Sequence, residues 1–257
     1  MSKILEYNEH GLIVLKNIIH KKDIDALLNV FVSILNQYLD KKLKNITTFN
    51  SKHLNESLAI LRKKDLPKFG HFYETLKSSS EIQKIFFKHN ITKTISYFLE
   101  TEKNFLSYSG FMLRMDSFFD SRNSLDYHRD RFFYNFDDDI RSGLVAVIPL
   151  HKINNFNGSL KYITSSHKDD YSSMQNKNSK SKFSTSQKTE KPLKEKIKLH
   201  QKDLSADVGD LVLFNLNLLH SSGINQSKKF RFTMIQRFHN IASIGYKPMQ
   251  IGYKKIF

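Results

Sequence analysis

The chain has 257 residues, enough for one large domain with a sizeable core, and its 41 Lys and Arg against 25 Asp and Glu give a net charge of +16. It has no cysteine, which excludes disulfides, thiolate zinc sites and iron–sulfur clusters and restricts metal ligands to His, Asp and Glu. No apolar run reaches the length of a membrane span, and Met1-Ser2-Lys3-Ile4-Leu5-Glu6 lacks the basic-then-apolar pattern of a secretory signal, so a soluble, cytoplasmic protein without membrane contact is expected.

The charge excess is mostly Lys, spread over the chain without an RNA-binding motif or an interleaved aromatic series. A solvated basic surface is expected from it, not a nucleic-acid partner. Gly11 to Leu15 is a short β-rich run suited to an early strand. From Asp23 the period changes: Ile24, Leu27, Leu28, Phe31, Ile34, Leu35, Tyr38 and Leu39 recur at three and four, which predicts an amphipathic helix with Asp23 as its cap. Leu54 to Lys64 reads as a second helix, broken by Pro67 and Gly70. Ser78 with Glu81 forms a capping box before a helical region ending near Glu100. His71 and His89 in these segments are read as structural or solvated.

After Thr101 the texture is β, in runs Phe105–Met115, Gly143–Leu150, Ser159–Thr164, Leu211–Leu219 and Phe230–Phe238. Helices first and short strands after predict a mainly β fold, a sandwich or jelly roll with flanking N-terminal helices. We expect one domain over 1–257, with a helical region 20–100 and a β core 105–240. Residues 169–202, rich in Ser, Asn, Gln and Lys, read as a loop insertion, either disordered or a lid.

Within this frame Tyr127-His128-Arg129-Asp130 reads as extended, so His128 and Asp130 would face the same way and Arg129 the other. Alone, such a triplet is equally a surface turn. His220, at the end of the apolar run from Leu211, supplies a third group. Two histidines and one carboxylate form the facial triad that holds non-haem iron(II) and leaves coordination positions open. Eleven residues later Arg231 offers a guanidinium that can grip a carboxylate with two parallel hydrogen bonds, or else sits on the surface between Phe230 and Phe232.

Four blocks in order carry a resemblance: His128-Arg129-Asp130; Asn157-Gly158-Ser159-Leu160 through Ser165-Ser166-His167; Gly209-Asp210; and His220 with Asn225, Ser227 and Arg231. Together they resemble the phytanoyl-CoA dioxygenase family of iron(II)- and 2-oxoglutarate-dependent oxygenases. The resemblance implies a double-stranded β-helix, a cupin-like jelly roll. It implies His128, Asp130 and His220 as metal ligands and catalytic centre, and Arg231 as the salt-bridge partner of the distal carboxylate of 2-oxoglutarate, with Ser222 and Arg114 as further cosubstrate contacts. An ion pair between Arg114 and Asp116 is the plain alternative for Arg114.

The implied cofactors are Fe(II), 2-oxoglutarate and O2, and the implied reaction is hydroxylation of a small molecule with release of succinate and CO2. Asp130 favours oxygenation over halogenation, since related halogenases lack that carboxylate. Arg129 and Ser165-Ser166 stand where members often carry Gln and Gly-Ser. If the Lys-rich segment is a lid, it favours an anionic substrate. Two other readings remain. One is a non-catalytic basic jelly-roll module that binds an anionic polymer in a salt-sensitive way. The other is a cupin-like hydrolase or isomerase whose metal acts as a Lewis acid.

Overall fold

The computed structural model describes residues 2–119, 124–131, 142–169, 191–243 and 246, without the side chains of 191–194. Its N-terminal part is helical apart from one strand. Helix α1 (Lys3–His10) starts where the Ser2 hydroxyl accepts the Leu5 N–H and stops at Gly11, whose φ of +75° suits a residue without Cβ. Strand β1 (Leu12–Leu15) follows. Helix α2 (Lys21–Leu35) buries Ile24, Leu27, Leu28, Phe31 and Leu35. His20 stands at its N-cap, so Asp23 is not the cap but a first-turn acid facing the positive end of the helix dipole.

Pro67 and Gly70 do not break the next segment as expected. Helix α3 (Lys52–Lys64) is followed directly by α4 (Leu66–Ser78), with Pro67 in its first turn. There the missing N–H has no intrahelical partner to lose, and the Asp65 carboxylate accepts the Lys68 N–H at 2.8 Å. The short α5 (Ser80–Gln83) is capped by Ser79, one residue after the Ser78 expected. Helix α6 (His89–Phe98) closes the helical region.

The strands β2 (Leu106–Asp116), β3 (Gly143–Pro149), β4 (Lys161–Ile163), β5 (Gln201–Asp203), β6 (Leu211–Asn215), β7 (His220–Ser221) and β8 (Arg231–Asn240) form two sheets. The larger has the order β1-β6-β3-β8-β2 and the smaller β5-β4-β7, and all pairings are antiparallel. This is the jelly roll. The expected loop at 169–202 is corrected over its described C-terminal part, where α7 (Lys191–His200) leads into β5. Residues 170–190 lie outside the described residues.

Strands β3 and β6 of the large sheet are buried on both faces, and the alternation along the sheet separates two cores. Leu144, Ala146, Ile148, Phe232, Met234 and Phe238 pack with the helices, where Phe31, Phe49 and Phe232 meet ring to ring at 5.3–5.7 Å. Val145, Val147, Val212 and Phe214 point to the other side, between the sheets. The register pairs Asp116 with Arg231 and Arg114 with Thr233. Since strand residues two apart share a face, Arg231, Thr233, Ile235 and Arg237 line the inter-sheet space while Phe232, Met234 and Phe238 hold the helical layer.

Candidate functional site

His128 and His220 face each other across a single antiparallel bridge. The His128 N–H donates to the His220 carbonyl at 2.9 Å, and the His220 N–H donates back at 3.0 Å. Directly opposed residues project to the same side of a sheet, and the ring centroids lie 4.3 Å apart. The Nδ1 atoms sit 2.7 Å from the Asp126 carbonyl and 2.9 Å from the Leu218 carbonyl. A carbonyl only accepts, so each Nδ1 carries the proton and each Nε2 presents a lone pair.

Asp130, 1% exposed, supplies the third donor. Its Oδ1 lies 3.6 Å from His128 Nε2 and 3.8 Å from His220 Nε2. One ligand atom from each of the three residues falls within 4.8 Å of the others. The other carboxylate oxygen, Oδ2, receives Arg237 Nε and Nη2, both at 2.9 Å, and Arg237 Nη1 donates to the Gly110 carbonyl at 2.8 Å. Burial pushes the Asp130 carboxyl up. Arg237, which donates twice to Oδ2, outweighs that and holds it below the ordinary carboxylate range. Burial, with His128 adding to it, pushes His220 down to about 3. A carboxylate and neutral imidazoles are the protonation states a divalent cation requires of its ligands.

Beside this cluster stands a second one built on Asp116. Arg114 Nε lies 3.1 Å and Nη2 3.1 Å from its carboxylate oxygens, while Arg231 Nε reaches Oδ2 at 3.1 Å and its Nη2 binds the same oxygen. Arg231 Nη1 donates to the Gly158 carbonyl. Arg114 Nη1 lies 3.3 Å from Ser222 Oγ, which also accepts the Leu125 N–H at 3.2 Å. Burial raises the Asp116 carboxyl, but the two guanidiniums outweigh it and the net shift is downward.

One cavity touches both clusters. His128, His220, Arg114, Ser222, Arg231 and Arg237 line it, with Val147, Ile153, Leu160 and Phe214 among its apolar walls. Every residue expected at the site is therefore in or directly against one space. Arg231 is 5% exposed, so it is not a surface arginine. Arg114 combines both readings, since it pairs with Asp116 and lines the cavity.

Two local expectations are corrected. His128 and Asp130 belong to no extended run: His128 forms an isolated bridge and Asp130 sits in a turn. His220 does not end the apolar strand but opens β7 in the other sheet, because the chain turns at Leu216–Leu219. Sequence reasoning missed Arg237 and the bridging role of Asp116. The signal for Arg237 was its even separation from Arg231 on one strand, which puts both on the same face.

Residues 7–233 match the model of the phytanoyl-CoA dioxygenase family. No curated protein matches the sequence. Among solved structures, EctD from S. alaskensis in its apoform is 16% identical with a TM-score of 0.62, over 99% of this chain and 82% of that one. AviO1 from Streptomyces viridochromogenes Tue57 is 15% identical with a TM-score of 0.58, over 93% of this chain and 94% of that one. The epimerase SnoN, solved in complex with Fe3+, alpha ketoglutarate and nogalamycin RO, is 12% identical with a TM-score of 0.60, over 92% of this chain and 82% of that one. At such identities these likenesses establish a shared fold.

Proposed function

The chain belongs to the phytanoyl-CoA dioxygenase family, and from that premise we propose that it is an iron(II)- and 2-oxoglutarate-dependent oxygenase that hydroxylates a small molecule. The observation that carries the reading is the convergence of His128 Nε2, His220 Nε2 and Asp130 Oδ1 on one point beside the cavity. Their donor set fits the metal. Each histidine is fixed by a carbonyl and Asp130 by Arg237, so the side chains are oriented before any ion arrives. Iron(II) bound with 2-oxoglutarate and O2 supplies the oxidising chemistry, whose products are succinate, CO2 and substrate carrying one added oxygen.

The protein's own work is binding, orientation and exclusion of water. His128, Asp130 and His220 would hold the metal, and Arg231 would hold the distal carboxylate of 2-oxoglutarate, with Ser222 and Arg114 beside it. Val147, Ile153, Leu160 and Phe214 keep that space apolar. In such surroundings an arginine–carboxylate pair is less screened than in bulk water. No helix among the described residues is long and apolar enough to cross a membrane, and a cytoplasmic location is part of this proposal. The Lys-rich segment 169–202 is the feature that favours an anionic substrate.

The test is succinate release from purified protein during a metabolite screen. It should require Fe(II), 2-oxoglutarate and O2 together, stop in His128→Ala, and yield a product heavier by one oxygen atom. Turnover that persists without O2 would instead support the hydrolase or isomerase reading.

A further inference from the structure

Asp116 is a buried carboxylate with no place among the metal donors, and it determines how two arginines meet the cavity. A guanidinium has five N–H groups in a planar fork. In Arg231, Nε and Nη2 turn toward Asp116 Oδ2, and Nη1 donates to the Gly158 carbonyl. Three of the five N–H groups are thereby committed among the described residues. Those remaining are one on each Nη, in a side chain that lines the cavity.

Arg114, two residues from Asp116 on β2, is held against the same carboxylate, its Nη1 against Ser222 Oγ. Without Asp116 the two cations would repel each other in a poorly solvated space.

We propose that Asp116 is a positioning residue that locks Arg231 and Arg114 into a receptor for one carboxylate, and so gives the site its preference for a 2-oxoacid with a distal carboxylate. The inference rests on the oxygenase reading above. It goes beyond that reading because it assigns the selectivity to a residue that touches neither metal nor cosubstrate.

The experiment measures anaerobic binding of 2-oxoglutarate and of 2-oxobutyrate, which has the same chelating end but no distal carboxylate, to the Fe(II)-loaded protein. Wild type should bind 2-oxoglutarate at least about tenfold tighter, the scale of one charge-assisted hydrogen bond. In Asp116→Asn that advantage should fall to about threefold or less, with affinity for Fe(II) and for 2-oxobutyrate unchanged. A variant that keeps the wild-type advantage overturns the proposal, and so does one that loses affinity for Fe(II) and both acids alike, which marks a purely structural role. Should Asp116→Asn not fold, Asp116→Glu keeps the charge and moves it by one methylene, and the same reduced or retained advantage decides. If wild type shows no preference between the two acids, the oxygenase reading of Arg231 fails instead, a result distinct from either outcome in the variants.

Discussion

At the scale of single residues the site depends on divided labour within one carboxylate. Asp130 presents Oδ1 to the two histidines and gives Oδ2 to Arg237, so the arginine fixes which oxygen faces the metal position. Arg237→Met would leave Oδ2 buried without its counter-charge. Breaking a buried ion pair from one side costs about 3–5 kcal/mol, and the metal-free variant should melt well below wild type. Added Fe(II) should recover part of the loss, since the cation supplies the positive charge that the arginine no longer does. Thermal unfolding with and without the metal measures both effects, and equal melting temperatures for the two metal-free proteins would refute this role for Arg237. The triad itself was legible from residue types and order. Arg237 was not, because an arginine on an alternating strand reads the same whether it faces solvent or a cavity until the opposite layer is known.

At the scale of elements, two glycines separate backbone necessity from helix propensity. Gly158 has φ +79°, and a Cβ there would stand 2.5 Å from the Asn225 amide nitrogen and 2.7 Å from the Ile224 carbonyl carbon. Neither backbone atom can swing away, and the Gly158 carbonyl also accepts from Arg231. Gly158→Ala should therefore destabilise by about 2 kcal/mol or more. Gly70 lies inside α4 with nothing within 4 Å of its would-be Cβ. Gly70→Ala should stabilise by about 0.5–1 kcal/mol, the ordinary helix preference for alanine. Denaturant midpoints of the two variants must move in opposite directions. The sequence pointed the wrong way at Gly70, taking it with Pro67 as a breaker, because first-turn tolerance of proline depends on where the cap falls, and Asp65 set that one residue before the helix. It was right about the β run Phe230–Phe238, where β8 alternates Phe232, Met234 and Phe238 with Arg231, Thr233 and Arg237. It failed on Leu211–His220, where every residue is buried and no period remains to reveal that the chain changes sheets.

At the scale of the whole molecule, the jelly roll is clamped between a helical layer and an inter-sheet space, and this layering buries histidines that are not metal donors. His151 Nε2 accepts the Phe232 N–H at 3.0 Å, a role that needs the neutral ring. Burial, with Arg231 and Lys229 adding to it, pushes its pKa down to about 4. Burial and Arg237 push His239 down to about 4 as well. An unfolded histidine titrates near 6.5. Between about pH 6.5 and 4 the unfolded chain therefore binds protons that the folded one refuses, and stability falls as pH falls through that window. Above it the contribution of these groups is fully present, and below it they add no further slope. At pH 5 each ring should have cost about 2 kcal/mol relative to pH 7. Urea midpoints at the two pH values should drop accordingly for wild type, and His151→Gln, which offers an uncharged acceptor at that position, should lose less between pH 7 and pH 5. Identical losses in the two proteins would show that His151 is protonated in the folded state and that its partner is not the Phe232 amide.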